Sequence, residues 1–219
     1  MIASGRAADV FEFGEGRILR RYKVDFDCVP EANVMRYLFE AGAPVPQVFD
    51  ASGRDIVMER LDGVTMIDAV TRDPRTLRPM ARTLAQIQRQ LNSIAPPAGL
   101  ACLFGEPLGV LHFDLHPLNV MMTTSGPRII DFSSVMAGDP AADVAQSWVL
   151  MATSQIPGSR VDRLVGGLGR RLMLKTYLAS AGRERAQVFL GDVAKYRLGD
   201  VHVTDVERES IRRLARRHG

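Results

Sequence analysis

One stretch constrains this chain more than any other: His112-Phe113-Asp114-Leu115-His116-Pro117-Leu118-Asn119, followed by Ile129-Ile130-Asp131-Phe132. It holds an H-x-D, an Asn five positions after that Asp, and a second Asp twelve positions after the Asn. Two short apolar segments lie between them, Val120–Met122 and Arg128–Asp131. The Thr-Thr-Ser-Gly-Pro loop that joins these segments has strong turn chemistry. A small hairpin is therefore expected here, with Asp131 at the end of its second strand.

The flanking pattern divides in two. Residues 9–13 alternate and place Phe11 and Phe13 on one strand face. Gly14 and Gly16 supply a turn, and Arg17–Tyr22 runs back as the antiparallel partner. Pro30 opens a helix over 30–41, with Val34, Leu38 and Ala41 on one face and Gly42 as its stop. Pro44 and Pro46 lead into a strand at 55–60. After Leu61-Asp62-Gly63 the pattern turns helical. Asp73 caps and Pro74 begins a long helix reaching about Ile94. From Pro140 three or four helices follow, the last opened by Thr204 and Glu207 at capping-box spacing. The expected class is α+β in two lobes: a small antiparallel-sheet lobe over 1–61 and a mainly helical lobe over 62–219.

Composition removes several alternatives. Hydrophobic residues at 46% and charged residues at 24% are ordinary for a globular chain, which argues against disorder. No apolar run approaches the roughly 18 residues of a membrane span, and the opening ten residues lack a signal peptide's basic start and apolar stretch. Cys28 and Cys102 form neither a disulfide framework nor a zinc pair, so a cytoplasmic location is expected. Residues 1–150 carry 14 Lys and Arg against 18 Asp and Glu, and residues 151–219 carry 14 against 7. The basic tail includes Arg212, Arg213, Arg216 and Arg217 but no interleaved aromatics. A solvated helix face explains it better than nucleic-acid binding.

The spacing in the 112–131 segment is that of a kinase catalytic loop and its metal-binding Asp. A hydroxyl attacking a γ-phosphate needs a proton acceptor that also orients it, and a carboxylate such as Asp114 does both. Mg²⁺ is a hard ion that prefers oxygen ligands; Asn119 offers a neutral one and Asp131 an anionic one. On these residues, and on Gly138-Asp139-Pro140-Ala141-Ala142-Asp143, the chain resembles the aminoglycoside phosphotransferase and choline-kinase-like family, which has a protein-kinase-like fold. The resemblance implies a nucleotide-covering hairpin at 5–22, a hinge at 56–63, Asp114 as catalytic base, and Asn119 and Asp131 as magnesium ligands. It also implies that Arg20 and Glu31 form the phosphate-binding pair and that backbone groups around Glu59 to Leu61 hold the purine. His112 is expected to brace the loop, and Asp143 to cap a helix or tie the loop down.

The chain departs from the family at several positions. Phe113 and Leu118 stand where glycines are usual, Arg20 replaces a lysine, with Lys23 as a rival, and Gly5 stands almost alone in the phosphate loop. Gln88 stands where a histidine often ends the long helix. The expected activity is Mg²⁺-assisted transfer of the γ-phosphate of ATP or GTP to a small-molecule hydroxyl. The partners implied are a nucleotide and that small molecule, without nucleic acid or membrane, and no particular oligomeric state. The departures motivate a rival, a catalytically weak or inactive pseudokinase-like binding module. A metal-dependent phosphohydrolase built on His112, Asp114, His116, Asp131 and Asp139 leaves Asn119 unexplained. Because the tail is basic, a neutral or anionic acceptor is expected over a polycationic one, unless Asp162, Asp192 or Asp200 lines the pocket.

Overall fold

Alternating residues and tight turns make the first sixty residues a sheet. Its strands are β1 (Ala3–Ser4), β2 (Ala8–Glu12), β3 (Arg17–Tyr22), β4 (Val48–Ser52) and β5 (Asp55–Glu59). They pair antiparallel in the order β1-β2-β3-β5-β4. The computed structural model describes residues 1–5, 7–155, 160–201 and 203–218, with side chains omitted for 160–165. Asp162 therefore lies outside the described side chains. Gly14 and Gly16 have positive φ in the β2–β3 turn, as that turn requires. Phe13 falls beyond the end of β2 and is half exposed, so the expected Phe11/Phe13 face is not the core. The sheet instead buries Ala8, Tyr22, Ile56, Val57 and Met58.

Helix α1 (Val29–Glu40) packs beside β4 and starts with Pro30 in its first turn. Gly42 ends it at φ 78°, and the Ala43 amide donates to the Leu38 carbonyl, the closure of a left-handed helix stop. Its buried face is Ala32, Met35 and Leu38 together with Glu31, while Ala41 is exposed. The expected face was rotated because apolar spacing could not anticipate a glutamate turned inward toward β3.

The chain then crosses into the second part through β6 (Gly63–Thr65), which pairs with β9 (Val120–Thr123) beside β10 (Gly126–Ile129). A Cβ on Gly63 would lie 2.3 Å from the Met122 carbonyl oxygen, so this close approach admits only glycine. α2 (Met66–Arg72) is capped by Thr65 Oγ1, which accepts from the Asp68 amide. The long helix expected from Pro74 is a 3₁₀ turn at Pro74–Thr76 followed by α3 (Leu77–Asn92). A second small sheet, β7 (Cys102–Phe104), β8 (Gly109–Leu111) and β11 (Met136–Gly138), is ordered β7-β11-β8.

Four helices complete the fold: α4 (Pro140–Thr153), α5 (Arg160–Ala181), α6 (Arg183–Leu198) and α7 (Asp205–His218). α4 is buried almost throughout, with α5, α6 and α7 packed around it. The capping box at α7 forms both reciprocal bonds, Glu207 N–H to Thr204 Oγ1 and Thr204 N–H to Glu207 Oε2. One hydrophobic core runs through both parts, from Met35 and Ile56 to Phe113, Phe132 and Tyr177. Among the described residues, no helix is long and apolar enough to cross a membrane.

Candidate active site

Strand β8 delivers the chain to the 112–119 loop, and α4 holds that loop from behind. Asp143, in the first turn of α4, is fully buried and accepts from Phe113 N–H at 2.8 Å, His112 N–H at 3.3 Å and Asn92 Nδ2 at 2.8 Å. Of its two expected roles it has the second, since Asp139 caps α4 through Ala141 N–H. His112 lies 3.0 Å from the Ile130 carbonyl through Nε2 and accepts the Asp114 amide at Nδ1. That pair of contacts requires the Nε2–H tautomer. Complete burial pushes its pKa down, so the ring is a neutral brace.

Phe113 has φ 60°, a left-handed conformation costly for a bulky residue. Its ring offsets that strain by packing: it stacks on Phe104 at 4.9 Å and meets Tyr196 edge-on at 5.3 Å. Leu118, the other substituted glycine position, is 56% exposed.

Asp114, Asn119 and Asp131 are brought together. Asn119 Nδ2 donates to the Asp114 carbonyl at 2.9 Å and to Asp114 Oδ2 at 3.2 Å, while its backbone carbonyl accepts Ile130 N–H at 3.0 Å. Asp131 lies two residues past β10, not within the strand as expected, and has φ 68°. Its backbone leaves the ladder because Ile130 is pinned by Asn119 and His112. Asp131 Oδ1 accepts from Arg20 Nη2 at 2.5 Å and Ser133 Oγ at 3.0 Å. Among the described residues no donor meets Asp131 Oδ2 or Asn119 Oδ1. Two oxygens of the type magnesium prefers are therefore open, and the donor set fits such an ion. His112 and Asp139 are engaged in bracing and capping, so the five-residue phosphohydrolase centre does not form.

From the sheet, Arg20 reaches both Glu31, through Nη1 at 2.7 Å, and Asp131. Tyr22 donates to the second Glu31 oxygen. Burial opposes the Arg20 charge, but the Asp131 and Glu31 carboxylates outweigh it and raise its pKa. Burial likewise opposes the Asp131 carboxylate, and Arg20 outweighs it, holding that pKa below the ordinary value. Lys23 is not the rival expected: its ammonium binds the Gly5 carbonyl, Ser4 Oγ and Asp9 at the β1–β2 turn.

At the end of β5, the Glu59 amide donates to Gln47 and the Arg60 amide to Gly16. The Glu59 carboxylate takes Arg128 Nη2 at 2.6 Å. Leu61 N–H meets no acceptor among the described residues. Burial raises the Asp114 carboxyl pKa, with the Asp131 charge in support and His112, Arg197 and the Asn119 hydrogen bond opposing. Burial lowers His116 to about 4, so its 3.9 Å approach to Asp114 is not an ion pair at neutral pH. Tyr22, Asn92, Ser133 and Arg197 were missed in the sequence. Only Ser133, two residues after Asp131, carried a local signal.

A family model described as the phosphotransferase enzyme family matches residues 1–103 and 96–183. The chain belongs to that family. The probable serine/threonine-protein kinase BUD32 homolog of Archaeoglobus fulgidus is 28% identical over 114 residues, covering 52% of this chain and 45% of that protein. The chain thus spans about half the length of this curated relative. A solved gentamicin complex of APH(2")-IIa superposes with a TM-score of 0.59 at 16% identity, covering 99% of this chain and 88% of that one. A streptomycin–ATP complex of the same protein gives 0.58 at 16%, covering 89% and 82%. The aminoglycoside phosphotransferase APH(3'')-Id of Streptomyces rimosus gives 0.54 at 17%, covering 84% and 90%. These structures share the two-part kinase-like fold.

Proposed function

We propose that this protein is a small-molecule kinase that transfers the γ-phosphate of ATP or GTP to a hydroxyl. Membership of the phosphotransferase enzyme family supports phosphoryl transfer. The observation that carries the reading is the meeting of Asp114, Asn119 and Asp131, with Asn119 Oδ1 and Asp131 Oδ2 free of protein donors.

In this reading Leu61 N–H holds the purine edge, and Arg20, oriented by Glu31, faces the phosphates. Asn119 and Asp131 would hold Mg²⁺, which supplies charge neutralisation to the phosphate oxygens. Asp114 accepts the acceptor's hydroxyl proton as its oxygen bonds to the γ-phosphorus. The bond to the β,γ-bridging oxygen breaks, and the nucleoside diphosphate leaves. Catalysis is then chiefly positioning and charge stabilisation. Asp114→Ala and Asp131→Ala are each expected to lower kcat to background in a nucleotide-dependent phosphate-transfer assay. Wild-type rates in both variants would overturn the assignment.

One observation favours a second reading, the inactive binding module: Arg20 occupies one Asp131 oxygen directly. Binding of Mg–nucleotide without turnover of any hydroxyl compound, unchanged in Asp114→Ala, would select it.

A further inference from the structure

Tyr22 ends β3 two residues after Arg20, so the two side chains share the strand face that meets Glu31 of α1. Tyr22 is 3% exposed, and among the described residues its hydroxyl meets one acceptor, the second oxygen of Glu31. Glu31 is itself buried and accepts from Arg20 Nη1 at its first oxygen, at 2.7 Å. The Tyr22 ring also lies under the guanidinium, its centroid 4.8 Å from Arg20 Cζ. Phe26 packs against that ring at 4.5 Å.

A lysine at position 20 would be a compact charge that works from many directions. A guanidinium is planar, and its fork works only at a set angle. Here Nη2 meets Asp131 Oδ1 at 2.5 Å while Nη1 stays on Glu31. Two restraints fix that angle. The aromatic face attracts the cation, and the Glu31 carboxylate is kept from turning by a donor on each oxygen. Packing alone asks for no hydroxyl at Tyr22, and a buried one is costly without a partner. A phenol keeps its proton at pH 7 and so can donate to the carboxylate.

We infer that Tyr22 is a positioning residue for nucleotide binding: through its ring and through Glu31 it sets the Arg20 fork toward the phosphates and Asp131. This rests on the kinase reading above and adds to it a residue that acts only through Arg20.

The test is calorimetric titration of Mg–ATP and Mg–GTP into the full chain, into Tyr22→Phe, into Arg20→Gln and into the double variant, with melts to verify that each is folded. Tyr22→Phe keeps the ring and removes the hydroxyl, and should weaken the tighter nucleotide about fivefold. In the Arg20→Gln background the same substitution should change affinity by less than about twofold, because its effect passes through the guanidinium. Should Arg20→Gln fail to fold, adenosine and guanosine decide. A loss in Tyr22→Phe confined to the triphosphates supports the inference, and a loss shared equally by the nucleosides overturns it. Wild-type affinity in Tyr22→Phe, or an equal loss with and without Arg20, would also overturn it and leave the kinase reading standing. A wild-type chain that binds neither nucleotide would bring down both.

Discussion

Among the described residues, Phe113 and Asp131 are the two non-glycine positions with left-handed backbone, and both belong to the candidate site. Strain of this kind persists where surrounding structure over-determines it, here through Asp143 and the aromatic packing behind the loop. The two contributions at Phe113 can be separated. Phe113→Ala should cost about 3–5 kcal/mol from the lost ring, and Phe113→Gly about 1 kcal/mol less, because glycine relieves the backbone. Denaturant melts of both variants check this; an Ala variant as stable as the Gly variant would show that the backbone is unstrained. His116 gives a pH signature. Its folded pKa near 4 lies below the ordinary 6.5, so the unfolded chain takes up the proton first and stability falls as pH drops from 6.5 toward 4. The His116 share is up to about 3 kcal/mol. His116→Gln should therefore lose less stability than wild type between pH 7 and pH 4.5, measured by the same melts. The residue types of the site were legible because H-x-D, Asn and Asp recur at fixed spacing. The contacts that restrain them, from Asn92 and Tyr22, arise from distant chain segments and leave no local trace.

At the scale of elements, the helix stops and caps read well. Gly42, the Thr204–Glu207 box and the β3 span of Arg17–Tyr22 all follow from local chemistry. The three-residue strands β6, β7, β8 and β11 did not, since so few residues give no periodicity and each is defined by its partner. The same holds for α1, whose buried face turned with Glu31. β6 is the element where the two parts of the chain are joined, and it depends on Gly63. Gly63→Ala drives a methyl into the Met122 carbonyl and should destabilise by about 2–4 kcal/mol, a rearrangement comparable to severe core strain. An unchanged melting temperature would mean that β6 and β9 can separate freely.

At the scale of the molecule, a small sheet and a helical body meet where Arg20 from one touches Asp131 from the other. Two-part organisation was visible in the shift from alternation to helical periodicity near residue 60. The guanidinium that links the parts was foreseen as a partner for Glu31 alone. This link sets the central claim, that a divalent ion and a nucleotide bind together between Asn119, Asp131 and Arg20. Calorimetric titration of ATP and of GTP into the full chain, with Mg²⁺ and again with a chelator, tests it most directly. At least one nucleotide should bind wild type tenfold or more tightly with Mg²⁺ than without, and Asp131→Ala should abolish that difference. Equal affinities with and without Mg²⁺ in wild type, or a Mg²⁺ effect that survives Asp131→Ala, would contradict the account.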